Sequence, residues 1–527
     1  MVSPTDVDDD RRRLLAGVGV AAFGDLGIGV RGDGGEGSGG SEQNGDGDSA
    51  DGTDERSGVH PDWRTRGFDA GNTSYNHATT GPTERGRPTW HFWEFTTGPV
   101  VADGTVYVGG RGGWGDDRTS DGVYAVDPET GELEWEATFE DASFGRPTVS
   151  GGTVYAFGSE DVLYALDAAT GEERWRYADA ANVGTPVVAD GTVFLGGRQR
   201  LVALDAETGA HRWEYDAADG IAYSPAVRRG RVFASEGTWR VSDHRLHAFD
   251  AATGERRWTY EYPDDCEFVR IAPTVGEETV FVGGGSHDID DGLGRVVALD
   301  ANTGDVAWSW VGEEPMNQTM ALAHDTLYVP TKGAFTALDA TTGEERWQFA
   351  VDSADRNPMA RIDRFSPPAV VGDTVYVGGY DAAVYALDTR SGECRWRYAL
   401  GEMSRASSQP AVVDGTVYVA CDHLYALAET GDASVEANFV FENTGPGPEH
   451  EIRVGRRVTF WGRLTTGPIA RYEWDFTGDG TADATGQFAN YTYEESGKKT
   501  ATLRAVGADG RTDTMTRAVR VRPTVDS

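Results

Sequence analysis

From about residue 100 the chain alternates short apolar runs with small polar turns. One half of the recurring pattern reads Asp-Gly-Thr-Val-Tyr-Val-Gly-Gly, as at 103–110. Its aromatic position returns as Tyr107, Tyr155, Phe194, Phe233, Phe281, Tyr328, Tyr376 and Tyr418. The other half reads Tyr-Ala-Leu-Asp-Ala-x-Thr-Gly-Glu-x-x-Trp, with clear copies ending at Trp135, Trp175, Trp213, Trp258, Trp308, Trp347 and Trp396. An eighth copy begins at Tyr425 and stops short, with Ala428 in the aspartate position and no tryptophan following. Alternation with a period of two marks half-buried strands, and Asp-Gly or Thr-Gly between such runs marks hairpin turns. Each unit therefore predicts four antiparallel strands, A to D, with tryptophan on strand D. Eight four-stranded units in sequence predict a ring of blades, because a linear stack would leave an unpaired edge at each end. The last unit lacks its strand D, and 89–95 (Thr-Trp-His-Phe-Trp-Glu-Phe) precedes the first unit as an orphan strand. That segment is expected to complete the eighth blade.

The motif Ala125, Asp127, Thr130, Gly131, Trp135 and its repeats resemble the tryptophan-docking motif of PQQ-like (quinoprotein and BamB-type) β-propellers. The resemblance spans roughly residues 90 to 431 and implies that each indole packs flat between neighbouring blades, its N–H reaching a backbone carbonyl. Those seven tryptophans are architecture. Farther on, Trp474-Asp475-Phe476, Tyr491-Thr492-Tyr493 and the Asp509-Gly510 turn resemble a PKD domain, which implies an Ig-like β-sandwich. The expected fold is all-β: an eight-bladed propeller followed by a sandwich.

The first 60 residues read differently. Arg11-Arg12-Arg13 precedes the apolar run 14–24, a layout that resembles a twin-arginine export signal. The run is short for a membrane span and Asp25 interrupts it. Residues 31–60 are Gly, Asp, Ser and Glu with few apolar positions, a composition expected to stay disordered. The expected organisation is a signal segment over 1–30, a linker over 31–60, the propeller over 61–432 and the sandwich over 433–527. The expected location is extracellular or on the cell surface, with no membrane span beyond an uncleaved signal segment.

Composition then narrows the function. The 527 residues include 47 basic and 86 acidic side chains, a net charge of −39. A nucleic-acid partner is excluded, since it would demand a basic footprint. Only Lys332, Lys498 and Lys499 are lysines; the other basic residues are arginine. Dense carboxylate with arginine resembles proteins of salt-loving archaea, where charge keeps a surface hydrated in brine. The three cysteines, Cys266, Cys394 and Cys421, lie too far apart for a zinc cluster or a disulfide framework and are expected to be small buried residues.

Strand parity locates the candidate site. The A–B and C–D turns share one face and are short and stereotyped. The B–C turns and D–A crossovers share the other and vary in length: 110–122, 236–244, 284–294 and 348–366 are long. Binding surfaces gather where a rigid scaffold carries variable loops. Residues just before each strand A should line the funnel mouth: Arg146, Thr185, Ser224, Arg270, Asn317, Gln318, Arg364, Arg405 and Gln409. Arginines there would suit carboxylate or phosphate, or equally pair with neighbouring acidic loops. In the PQQ dehydrogenases the resemblance implies a quinone held by calcium, a catalytic aspartate and adjacent cysteines. This chain has no Cys-Cys pair, and no catalytic constellation is recognisable, so PQQ is not expected; calcium stays open. Asp475, Asp479 and Asp483 partly match an oxygen-rich calcium loop, with Thr477 where a fuller loop carries another carboxylate, so a structural turn is the stronger reading. The expected function is a non-catalytic binding or scaffold protein with a protein or carbohydrate partner at the cell surface. The alternatives are a PQQ- and calcium-dependent sugar or alcohol dehydrogenase and a carbohydrate-binding adhesin.

Overall fold

The structure, a computed structural model, describes residues 62–523 except 93–95, 111–121, 140–141, 179–183, 198–199, 218–219, 222–223, 238–243, 263–270, 286–292, 317, 351–363, 381–382, 401–407, 422, 430–434, 436, 444–451, 463–464, 466–468 and 508–509. The signal, linker and long-insertion expectations fall outside these residues.

Local chemistry sets each hairpin. In the first unit Asp127 Oδ1 accepts the amides of Glu129 (2.9 Å) and Thr130 (2.8 Å) and the Thr130 hydroxyl (2.9 Å), closing the C–D turn. Gly131 then takes φ of +74°, a conformation costly for any residue with a Cβ. In the third unit the arginine before the docking tryptophan, Arg212, reaches back to Asp205 (2.8 Å) and, with the turn, holds that carboxyl down at about 2.

These hairpins build eight sheets among the described residues, each carrying strands A to D in order. The first runs through Val100–Ala102, Thr105–Gly109, Gly122–Val126 and Leu133–Thr138. Inner strands neighbour one another in cyclic order, and the last, Ala411–Val413, lies beside the first, Val100–Ala102. The ring is closed. Its eighth sheet takes its outer strand from Gly86–Phe92, antiparallel to Leu424–Glu429, with Gly86 opposite Glu429 and Phe92 opposite Leu424. The clasp starts three residues earlier than the pattern indicated. The reason is polar: the Glu429 carboxylate accepts the amides of Thr83 (2.8 Å), Glu84 (3.2 Å) and Arg85 (2.9 Å), which fixes the approach to the strand.

The indoles wedge the ring. Trp135, Trp175, Trp213, Trp258, Trp308 and Trp347 donate Nε1–H to Ala168, Ala206, Ala251, Ala301, Ala340 and Thr389 of the following blade at 2.9–3.2 Å. Each ring lies against the Thr-Gly or Ser-Gly glycine of that blade. The seventh, Trp396, has no such turn ahead of it. It donates instead to Pro82 O (2.8 Å) and packs on Gly86, so the N-terminal segment stands in for the missing turn. An eighth wedge belongs to the clasp: Trp90 donates to Pro128 O (2.8 Å) and covers Gly131. Trp90→Ala is therefore expected to destabilise as much as Trp213→Ala, ~3–5 kcal/mol by urea denaturation. A clasp that merely lay alongside would leave Trp90→Ala near neutral.

One cysteine departs from expectation. Cys394 is exposed, because strand D is the outer edge of its blade and the first position of Cys394–Ala399 faces solvent, as Glu173 and Arg256 do in sister strands. Cys421 is half-buried.

The sandwich pairs Val440–Asn443, Arg457–Trp461 and Phe488–Thr492 in one sheet and Ala484–Thr485, Ile469–Asp475, Gly497–Gly507 and Thr512–Val521 in the other. Trp474 is fully buried, stacks with Phe476 and donates to Gly486 O at 2.8 Å. The sandwich seats on the last two blades: Tyr398 Oη meets Met515 Sδ (3.4 Å), and buried Arg517 donates Nη1 to Tyr425 Oη (3.5 Å).

Candidate functional site

Every inner strand of a propeller presents one unpaired edge to the central channel. Here residues 63–76 take up most of those edges. Trp63 exchanges both backbone bonds with Val101 (2.7 and 2.8 Å). Arg64, Ala70, Gly71, Thr73 and Ser74 then accept the amides of Val149, Val227, Val275, Leu322 and Val370 at 2.6–2.8 Å, and Asn76 Nδ2 reaches Val412 O. The partner is the second residue of its inner strand in every case. Tracking a circle of edges forces repeated left-handed residues: Gly67 (φ 73°), Phe68 (72°), Asn72 (57°) and Ser74 (58°). Asn72 secures the path by donating Nδ2 to Pro273 O (3.1 Å). The segment enters at the A–B turn face, where Arg64 pairs with Asp103 (2.6 Å), and leaves there, where Thr80 O accepts Gly415 N (2.8 Å). Between, it rises to the residues that precede the inner strands.

At that level stand Arg146 and Gln409, from the second and eighth units. Arg146 Nη1 donates to Gln409 Oε1 (2.9 Å) and Nη2 to Gln409 O. Gln409 Oε1 also accepts Gly67 N (2.9 Å), while its Nε2 donates to Ser74 Oγ and Pro368 O (both 2.8 Å). Both side chains are buried. Burial, and after it the like charge of Arg66, pushes the Arg146 guanidinium down to about 9, so the cation is held by neutral acceptors alone. Arg66 donates to Thr319 Oγ1 (2.7 Å). Gln318 Nε2 donates to Tyr380 Oη (3.1 Å), beside Arg364, whose buried Nε has no partner among the described residues. Ser224 is buried and Thr185 half-buried. Arg270, Asn317 and Arg405 lie outside the described residues.

Thus Arg146 and Gln409 come together on the axis: Gln409 is engaged with the axial segment at Gly67 and Ser74, and Arg146 with Gln409, while the buried Arg146 Nε has no partner among the described residues. The reading of the repeat missed that segment, including Arg66. Its signal is faint: Trp63-Arg64-Thr65-Arg66-Gly67 has no periodicity, and only two glycines and two asparagines within 63–76 hint at turning backbone. Also unflagged was a buried pair in the fourth blade, His247 Nε2 to Glu236 Oε2 at 2.6 Å, with Thr259 Oγ1 on the other ring nitrogen (2.9 Å) and Tyr215 donating to Glu236 (3.3 Å).

In the sandwich, Asp475 accepts the amides of Thr477, Gly478 and Gly480, Asp479 that of Thr481, and Asp483 that of Phe476, all at 2.7–3.0 Å. Backbone donors occupy the carboxylates. Among the described residues no group of three His, Cys, Asp or Glu side chains could hold a metal ion.

A profile of PQQ-type repeats, described as outer membrane protein assembly factor BamB, matches residues 78–183, 178–287 and 243–430, and a PKD domain profile matches 444–520. No curated protein matches the chain in sequence. Among solved structures it is similar to a quinohemoprotein alcohol dehydrogenase from Comamonas testosteroni (17% identity, TM-score 0.56, 71% of this chain and 81% of that one) and to a europium-containing methanol dehydrogenase (16%, 0.57, 70% and 98%). It is also similar to the computationally designed protein Ika8 (13%, 0.52, 65% and 98%). Identities this low speak for the fold alone.

Proposed function

Because the chain belongs to the BamB-type PQQ-repeat family, with a PKD domain after the repeats, we propose that it is an exported or cell-surface binding protein without catalytic activity. The loop-rich face of the propeller would receive a protein or carbohydrate partner. The observation that carries this reading is the axial segment: the chain takes up the inner edges of seven blades with its own residues, Gln409 is spent on holding that segment, and Arg146 is spent on Gln409.

The alcohol and methanol dehydrogenases that share the fold make the quinone alternative worth testing. The resemblance implies a polycarboxylate quinone with calcium. Arginine near the axis suits carboxylates, but the donor set for the cation is missing among the described residues, and no Cys-Cys pair exists. The described residues therefore do not fit that cofactor. The PKD sandwich, a module common on surface proteins, favours the extracellular location.

Incubating the full chain with PQQ and calcium chloride in molar salt, followed by dialysis, tests the proposal. The expected result is no retained quinone absorbance and no dye reduction with ethanol, methanol or glucose. One quinone retained per chain together with substrate-dependent dye reduction would overturn it.

A further inference from the structure

The eight units act as controls for one another, and the fourth breaks the pattern. Strand B opens with threonine in seven units: Thr105, Thr153, Thr192, Thr279, Thr326, Thr374 and Thr416. In four of these, the arginine before the docking tryptophan is held at two points. Arg174, Arg212, Arg346 and Arg395 each give Nη1 to that threonine and Nη2 to the motif aspartate of the C–D turn. Thus threonine and aspartate together neutralise and satisfy the guanidinium.

In the fourth unit the threonine is Arg231. Arg257 keeps its aspartate, Asp250 (2.8 Å), but its Nη1 has lost the hydroxyl and faces Glu255 at 3.3 Å. The Arg231 side chain makes no hydrogen bond or ion pair among the described residues, and its charge acts on Asp300. The preceding turn is changed as well. Asp103, Asp190 and Asp414 hold its left-handed position in sister units, and here Arg229 holds it at φ 49°. Among the described residues Arg229 pairs only with the exposed Glu277 (2.8 Å), a contact open to solvent and readily exchanged. Asp250 is already in use, Oδ1 by its own turn and Oδ2 by Arg257.

Arg229, Arg231 and Arg257, with Asn302 of the next blade, line a cleft of about 310 Å³. Three guanidinium groups and one committed carboxylate, Asp250, line it, with Glu255, Glu277 and Asp300 acting on them from outside the lining, and this local excess of positive charge stands out in a chain of net charge −39. A planar carboxylate is satisfied by one bidentate arginine, whereas three arginines from separate backbone positions match an oxyanion with three outward oxygens. The volume sits at the lower end for small-molecule sites. We propose that this cleft binds the phosphate or sulfate ester group of a monosaccharide-sized ligand. It lies on the face opposite the variable loops and does not rest on the function proposed above.

The test is calorimetric titration of the full chain with glucose 6-phosphate, glucose 6-sulfate and inorganic phosphate, at the lowest salt in which it stays folded by circular dichroism. One ester is expected to bind 1:1. Arg231→Thr restores the residue of the seven sister units, so the fold should be unchanged, and it should weaken binding at least tenfold. Arg212→Thr, in the third unit, should leave affinity within twofold. No saturable heat with either ester, equal affinity in Arg231→Thr, or inorganic phosphate binding as tightly as the esters would overturn the proposal. The preferred ester separates a phosphate from a sulfate source.

Discussion

Gln409→Leu is expected to lose about 5 kcal/mol of unfolding free energy, the largest effect of any single side chain on the channel axis. The glutamine accepts from Arg146 and from Gly67 N, and donates to Ser74 and Pro368. Leucine removes the side-chain amide and leaves the buried Arg146 cation with one backbone carbonyl. Leaving a buried charge short of partners costs more than its pair contributed. The measurement is the urea midpoint at constant slope. Arg146→Met with Gln409→Leu should recover at least half of the loss, because the charge goes with its partner. A loss below about 1 kcal/mol would mean that the axial network is dispensable.

The second large effect separates a wedge from a turn. Gly392 (φ 72°) and Gly415 (φ 80°) are both left-handed. A Cβ at Gly415 would meet nothing within 4 Å, whereas at Gly392 it would fall 2.4 Å from Cε3 of Trp347. Gly415→Ala is expected to cost about 1–2 kcal/mol from backbone strain. Gly392→Ala should cost about 2 kcal/mol more, because the indole must leave its seat and loosen its bond to Thr389 O. Tryptophan fluorescence should shift for Gly392→Ala and not for Gly415→Ala. Equal costs would show that the docking contact adds nothing beyond the turn.

Much of the fold was legible because a repeat states its rule eight times. Asp-Gly, Thr-Gly and the tryptophan fixed strand order, blade membership and the missing outer strand, and the clasp was found by asking which unit lacked a partner. The axial segment was not legible for a physical reason. Its bonds to six of the inner strands are backbone to backbone, and such bonds impose almost no pattern on side chains. The meeting of Arg146 with Gln409 was equally hidden, since ring closure joins residues 263 positions apart. The arginine cleft was visible in outline, as Val-Arg-Arg-Gly-Arg-Val at 227–232 against Val-Ala-Asp-Gly-Thr-Val at 101–106. Its meaning depended on knowing that the sister threonine receives an arginine. The long insertions lie outside the described residues.

The clasp has a consequence for how the molecule is made. Residues 86–92 leave the ribosome ahead of all four strands of the first blade, yet they pair with Leu424–Glu429, the last propeller strand to emerge. Until then Trp90 and the edges awaiting 63–76 stay uncovered, so the blades can form in turn but the circle cannot lock before synthesis nears its end. Contacts this distant in sequence make closure slow. During that interval the early strand of one nascent chain could pair with the last blade of another, making dimers by exchange.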